Sequence, residues 1–387
     1  MRIYLDNAAT SWPEPDAVYE AVDRYQREIG AAAGRGSYQS AQQSQQLVSE
    51  TRASCARMLG IANPNQVLFT SNGSASLNLA IHGLLHPGDH VVTTVCEHNS
   101  VLRPLHWQQE NNGVQVTHVG CDEAGYISPS EIASAIGQRT KLIAITHASN
   151  VTGALQPIQE IAQLTHNAGA FLLVDAAQTA GCVSIDVESL DIDMLACGGH
   201  KGLLGPLGIG LLYLRPGIEQ RINPLMQGGT GVNSFSSTQP DQMPEKFEAG
   251  NLNLPAIAGL RAAVEFLRQQ TIVSIQQNHL KLTDYLLNKL SHVDSLKIFG
   301  PAADQPRVGV VSCAIEGYDP QELATALDLI AGVECRAGLH CAPRMHSALG
   351  TDQAGGLVRF SPGWATTTDD IDAAVSAVIT AAENIPN

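Results

Sequence analysis

No apolar run of membrane-spanning length occurs in this sequence of 387 residues, so a transmembrane helix is not expected. The opening, Met1-Arg-Ile-Tyr-Leu-Asp6, lacks the apolar core of a signal peptide, and a cytoplasmic location is the expectation. The eight cysteines include no Cys-x-x-Cys pair, which argues against a zinc site of the usual spacing. Reduced thiols are expected, most of them buried as small hydrophobes. Basic residues are scarce. Lys and Arg number 22 against 37 Asp and Glu, a net charge of −15, and no basic run reverses this locally. Nucleic acid and anionic membranes are therefore not expected as partners. His82, His86 and His90 recur every fourth position, but Pro87-Gly88 breaks the helix before His90, so no metal site is expected there.

What remains is an ordinary globular balance, 44% hydrophobic and 15% charged, in a chain long enough for two or three domains. Short β-rich runs occur at 66–70, 90–95, 114–119, 141–146, 171–175, 192–197 and 208–214, with helical stretches at 75–85, 101–111, 129–136 and 157–168. Such alternation predicts an α/β fold: a mostly parallel seven-stranded sheet covered by helices, with ligands at the carboxyl ends of its strands. Residues 216–254 are rich in Pro, Gly, Asn, Ser and Gln and read as a functional or interface loop. Beyond it lies a smaller α+β region, with strands at 307–315 and 357–361 and helices at 321–330 and 368–382. The expected division is an N-terminal segment 1–15 packing with the small domain, a large domain 16–254 and a small domain 255–387.

Three segments combine a strand end with chemistry-bearing residues. Phe69-Thr-Ser-Asn-Gly-Ser-Ala75 runs from a strand into a helix start. Its amides and the helix dipole suit a phosphate, and Ser74 can cap the helix, although taken alone a plain cap is the commoner reading of such a start. Val174-Asp-Ala-Ala-Gln178 ends an apolar strand in a carboxylate, either a partner for a heterocyclic nitrogen or a turn residue. In Cys197-Gly-Gly-His-Lys-Gly202 a lysine follows a strand inside a glycine-rich turn. There it could have a lowered pKa and form a Schiff base, or simply be solvated.

Taken together and in this order, the segments resemble the class V (fold type I) pyridoxal-phosphate enzymes. Glu97-His-Asn-Ser100, Ser149-Asn-Val-Thr-Gly153, Arg336-Ala-Gly-Leu-His-Cys-Ala-Pro343, Leu357-Val-Arg-Phe-Ser-Pro-Gly363 and the opening Tyr4-Leu-Asp-Asn-Ala-Ala-Thr10 resemble segments of the SUF-type (group II) cysteine desulfurase and selenocysteine lyase branch.

The resemblance implies pyridoxal 5'-phosphate as cofactor and roles residue by residue. Lys201 would carry the cofactor and move the substrate's Cα proton. Asp175 would hold the ring nitrogen, Gln178 the phenolic oxygen, and His98 would stack on the ring. Gly73, Ser74 and His200 would hold the phosphate. Asn251 stands where the family has a threonine reaching the partner subunit's phosphate. Asn150 and Arg359 would grip the carboxylate of the amino-acid substrate, L-cysteine or a close relative. Cys341 would take the sulfur as a persulfide, its thiolate favoured by His340, Arg336 and Arg344, and pass it to an acceptor, such as a sulfur-acceptor protein. A homodimer and a place in iron–sulfur cluster assembly are likewise implied.

The sequence departs from the family at Asn72, Ala75, Gly198, Asn251 and Leu339. Gly198 and Asn251 remove hydroxyl donors from the phosphate site, at about 1 kcal/mol each. A class V aminotransferase, another lyase including selenocysteine lyase, and a non-catalytic partner-binding relative remain the alternatives.

Overall fold

The computed structural model describes residues 2–34 and 36–384. Met1, Arg35 and residues 385–387, which fall inside the expected segments, lie outside the described residues. Seven strands form one sheet in the spatial order Val67–Thr70, Gly210–Leu214, Met194–Gly198, Phe171–Asp175, Thr140–Thr146, His90–Thr94 and Gln115–Val119. Only Gly210–Leu214 runs against the rest, pairing antiparallel on both sides. The central strands read TKLIAIT, FLLVD and MLACG and are almost wholly buried, as expected of a sheet covered on both faces.

Helices pack on both sides of the sheet and divide its apolar residues between two clusters. One includes Val92, Ile143, Val174 and Leu195, and the other Leu68, Ala144, Leu173 and Met194. This is the alternation that successive residues of a strand impose. Helix Leu254–Gln270, capped by Asn253 with Pro255 in its first turn, buries Ile257, Leu260, Val264 and Leu267 in the first cluster. Its apolar face thus belongs with the sheet, although the sequence groups it with the C-terminal region.

A second sheet is antiparallel, in the order Arg336–Gly338, Leu357–Phe360, Val311–Ile315 and Leu296–Phe299. Its core takes in Ile3 and Leu5 from the N-terminus, and strand Ile3–Tyr4 pairs in parallel with Val333–Glu334. The next residues cross to the large sheet. Ser11 donates from its amide to the His200 carbonyl (2.8 Å) and from its hydroxyl to the Lys201 carbonyl (2.8 Å). Residues 5–11 therefore bind the turn after Met194–Gly198 to the C-terminal sheet.

Candidate active site

The carboxyl ends of the large sheet open into a cavity of about 230 Å3. Its lining gathers Gly73, Ser74, His98, Asn150, Asp175, Gln178, His200, Lys201, Cys341 and Arg359, residues drawn from across the chain. Asn251 is not among them. It lies in a separate cleft beside Arg52 and Glu248, where those two form a buried bidentate ion pair at 2.8 Å.

At one end of the cavity, strand Val67–Thr70 gives way to helix Gly73–Leu84. Here the expected cap is corrected. Asn72, not Ser74, caps the helix, its side-chain oxygen accepting from the Ala75 amide at 2.9 Å. The Ser74 hydroxyl is thereby left for the Ser100 hydroxyl at 2.6 Å, and Ser100 reaches His98 Nδ1 at 2.9 Å. Among the described residues, the Gly73 and Ser74 amides find no acceptor, as the first turn of a helix leaves them. A Cβ on Gly73 would come within 3.1 Å of the Gly198 nitrogen, so glycine lets the two segments meet. His98 caps the helix Asn99–Asn112, its Nδ1 accepting from the Ser100 amide at 3.0 Å. Burial, reinforced by the nearby Lys201 charge, pushes its pKa down to about 4; the ring is neutral, with Nδ1 an acceptor.

Asp175 ends strand Phe171–Asp175, with Oδ1 accepting from the Ala177 amide at 2.9 Å. Burial raises its pKa, while that hydrogen bond and Lys201 pull it back. Lys201 follows strand Met194–Gly198. Burial lowers its amine to about 8 against the opposing pull of Asp175, so a useful fraction is unprotonated near neutrality. Gln178 donates to the Ala8 carbonyl at 3.0 Å. The His200 ring is held neutral by burial, its pKa lowered to about 4, and its buried Nδ1 has no partner among the described residues.

The opposite wall comes from the C-terminal sheet. Arg359 is 1% exposed. It donates to the Asn150 carbonyl (3.0 Å) and to Asp6 (2.7 Å), and its buried Nε has no partner among the described residues. Asn150 donates to the His340 carbonyl at 2.6 Å, so one of its amide hydrogens fixes the backbone beside Cys341. His340 and Cys341 both have positive φ, 48° and 57°, a region that costs non-glycine residues energy. The Cys341 carbonyl accepts from the Asn99 amide at 2.7 Å.

Of the three cations expected to favour the thiolate, one reaches it. Arg336 Nη2 lies 3.5 Å from Cys341 Sγ. His340 is corrected: burial and the Arg359 charge drive its pKa down to about 2, so it is neutral. Arg344 is exposed, and its charge is felt at His118. The other cysteines are free, and burial raises the thiol pKa of Cys55, Cys182 and Cys335 to about 12. His82 and His90 do not converge: one bonds Gln108, the other Thr140 and Thr117.

Sequence reasoning assigned no role to Asp6, Ser100 or Glu97. All three stand in motifs that carry the resemblance, which was the available signal. Glu97 is fully buried. It accepts from the Thr94 hydroxyl (2.6 Å) and the Thr146 amide (3.1 Å), and burial raises its pKa to about 8.

The residues fit pyridoxal phosphate. Two open helix-start amides suit a phosphate, a buried carboxylate suits a ring nitrogen, and a lysine with a lowered pKa suits an aldehyde. The fold and this site define a class V enzyme. The class-V aminotransferase family model matches residues 3–374, and the chain belongs to that family. Enzymes of the family depend on pyridoxal phosphate, and this chain is an enzyme of that kind. It is 35% identical over 373 residues to a probable cysteine desulfurase of Methanothermobacter thermautotrophicus, covering 95% of this chain and 92% of the relative. It is 32% identical over 357 residues to a cysteine desulfurase of Haloferax volcanii, covering 90% and 82%. An apo cysteine desulfurase structure from Thermococcus onnurineus superposes with a TM-score of 0.93 at 31% identity, covering 99% of this chain and 95% of that one. No helix among the described residues is long and apolar enough to cross a membrane.

Proposed function

We propose that this chain is a cysteine desulfurase that converts L-cysteine to L-alanine, takes the sulfur onto Cys341 as a persulfide, and passes it on. The observation that carries the reading is the approach of Arg336 to Cys341 Sγ at 3.5 Å, in a cavity that also holds Lys201, Asp175 and Arg359. An aminotransferase has no need of a thiol there.

Gly73, Ser74 and His200 would hold the phosphate, and Asp175, Gln178 and His98 the ring. Bound there, the cofactor supplies an electron sink that labilises the substrate's Cα–H bond. Arg359, fixed by Asp6 and with its Nε unpaired among the described residues, would bind the substrate carboxylate. The Lys201 amine, unprotonated in part near neutrality, would take the Cα proton and return it to the product. Arg336, 3.5 Å from Cys341 Sγ, would steady the thiolate as it attacks the substrate's sulfur; the new S–S bond forms as the substrate's Cβ–S bond breaks, with that bond's electron pair staying on the carbon side. Asn150 and the Asn99 amide hold the strained backbone that presents it.

We further propose a homodimer. Asn251 lies outside its own chain's cavity, on a loop that exposes Leu225, Met226 and Phe235, and in a dimer it would reach the phosphate of the partner subunit. A location in the cytoplasm and a role in iron–sulfur cluster assembly follow from the same reading. Incubation with L-cysteine and trapping by an alkylating reagent should place one extra sulfur on Cys341. Alanine formation without a trapped persulfide, undiminished in Cys341→Ala, would favour a lyase whose thiol is idle.

A further inference from the structure

Cys341 stands at the border of two spaces. Beside the cavity, an open groove of about 510 Å3 lies on the face of helix Asn99–Asn112, and Lys201 does not line it. Ser74, His98, Ser100 and Cys341 line both the groove and the cavity, so the two are continuous at the thiol. The groove alone adds Arg103, Trp107 and His82.

Its chemistry differs from the rest of the surface. The chain carries −15 overall, yet no Asp or Glu lines the groove, and Arg103 is its one fixed charge. Arg103 is exposed and has no hydrogen bond or ion pair among the described residues. Trp107 is 50% exposed, its ring set edge-on to His82 with centroids 5.1 Å apart. His82 is held by Gln108 at 3.0 Å, and burial lowers its pKa. A free guanidinium fork beside a fixed aromatic face suits one carboxylate on a short apolar stem. The volume lies in the range of small-molecule sites, about 300–1,000 Å3. A single fork in a space of that size matches a small ligand better than a broad protein footprint.

We propose that this groove binds the sulfur acceptor, and that the acceptor is a small thiol bearing a carboxylate. The proposal rests on the desulfurase reading. The acceptor thiolate attacks the outer sulfur of the Cys341 persulfide. A bond forms between the acceptor sulfur and that outer sulfur, and the bond from the outer sulfur to Cys341 Sγ breaks. Its electron pair stays on Sγ, which leaves as the thiolate, while the persulfide proton remains on the transferred sulfur. Charge and electrons balance without an outside oxidant or reductant. Sulfur thus enters Cys341 from the cavity and leaves through the groove.

The test uses the holoenzyme with L-cysteine and three acceptors at equal thiolate concentration: 3-mercaptopropionate, 2-mercaptoethanol and cysteamine. Released acceptor persulfide is trapped and counted, and alanine from a single turnover without acceptor is measured separately. The anionic thiol should show a KM about tenfold below that of the neutral one, with the cationic thiol weakest, as one charge-assisted contact allows. Arg103→Ala should erase that preference, Arg103→Lys should keep part of it, and Trp107→Ala should raise the KM for all three. None should change the single-turnover alanine. A normal alanine burst with no preference among the thiols, or a preference that survives Arg103→Ala, overturns the groove assignment alone. No alanine and no persulfide in any arm overturns the desulfurase reading beneath it.

Discussion

The cavity wall supplied by the parallel sheet carries Asp175, His200 and Lys201 on ordinary backbone, whereas the wall supplied by residues 336–341 sets two successive side chains at positive φ. The first is fixed by strand pairing and by the N-terminal crossing at Ser11. The second depends on Asn150 and the Asn99 amide, which reach across from the large sheet. The difference divides the work. A wall held by many mutually supporting bonds suits a cofactor that stays in place, while strain kept at a few points suits a nucleophile that must be aimed.

Removing the key side chain from each wall should break the division most clearly. Lys201→Ala should abolish turnover, by a factor of 10^3 or more as an order of magnitude, together with covalent retention of the cofactor. Cys341→Ala should abolish sulfur transfer by a similar factor yet keep the cofactor's absorbance. Loss of cofactor from both variants would mean that the walls are not independent.

Within the sheet wall, the Asp175–Lys201 pair can be tested by pH. The Lys201 amine, lowered to about 8 by burial, is raised in part by Asp175. Covalent capture of added cofactor needs the neutral amine, so in the apo protein its rate at pH 7 should be about a tenth of the plateau. Capture should rise with pH and flatten above 8. In Asp175→Asn the raising charge is gone, the midpoint should move below 8, and capture at pH 7 should rise above a tenth of the plateau even as turnover falls.

How far each wall was legible follows from what sets it. Strand ends with Asp175 and Lys201 declare themselves locally, because apolar runs stop at a charged or glycine-rich turn. Helix Gln39–Met58 went unread because its buried face is Ala41, Ser44, Thr51 and Arg52 among others, small and polar residues that leave no apolar period. Strand Arg336–Gly338 carries no strand pattern and sits at a sheet edge. The cationic setting of Cys341 was overread, since burial neutralises His340 and nothing in the sequence says which way Arg344 points. Asp6 on Arg359 joins residues at opposite ends of the chain, and only the fold makes them neighbours.

A smaller effect comes from Glu97, buried where strands His90–Thr94 and Thr140–Thr146 end. Its folded pKa of about 8 lies above the ordinary carboxyl value of 4.5, so between those values the folded state binds more protons than the unfolded. Stability should therefore fall as pH rises through that window, at up to about 1.4 kcal/mol per pH unit. Glu97→Gln keeps an oxygen for Thr94 and Thr146 and cannot ionise. Urea midpoints at pH 5 and pH 8 should converge in the variant and differ in the wild type. Equal pH dependence in both would show that Glu97 does not titrate in this window.

The smallest effect isolates the strain of the second wall. Cys341→Ala and Cys341→Gly both lack the thiol, so activity is lost in both and drops out of the comparison. They differ in what the backbone asks of them. At φ 57° alanine meets the left-handed penalty, about 1 kcal/mol, whereas glycine does not. Glycine also loses more freedom on folding, which offsets part of the gain. Cys341→Gly should therefore unfold at a slightly higher denaturant concentration than Cys341→Ala, by a difference of about 0.5–1 kcal/mol. A more stable alanine variant would mean that the segment relaxes out of the left-handed region once the thiol is gone, and that Asn150 and Asn99 do not by themselves hold it there.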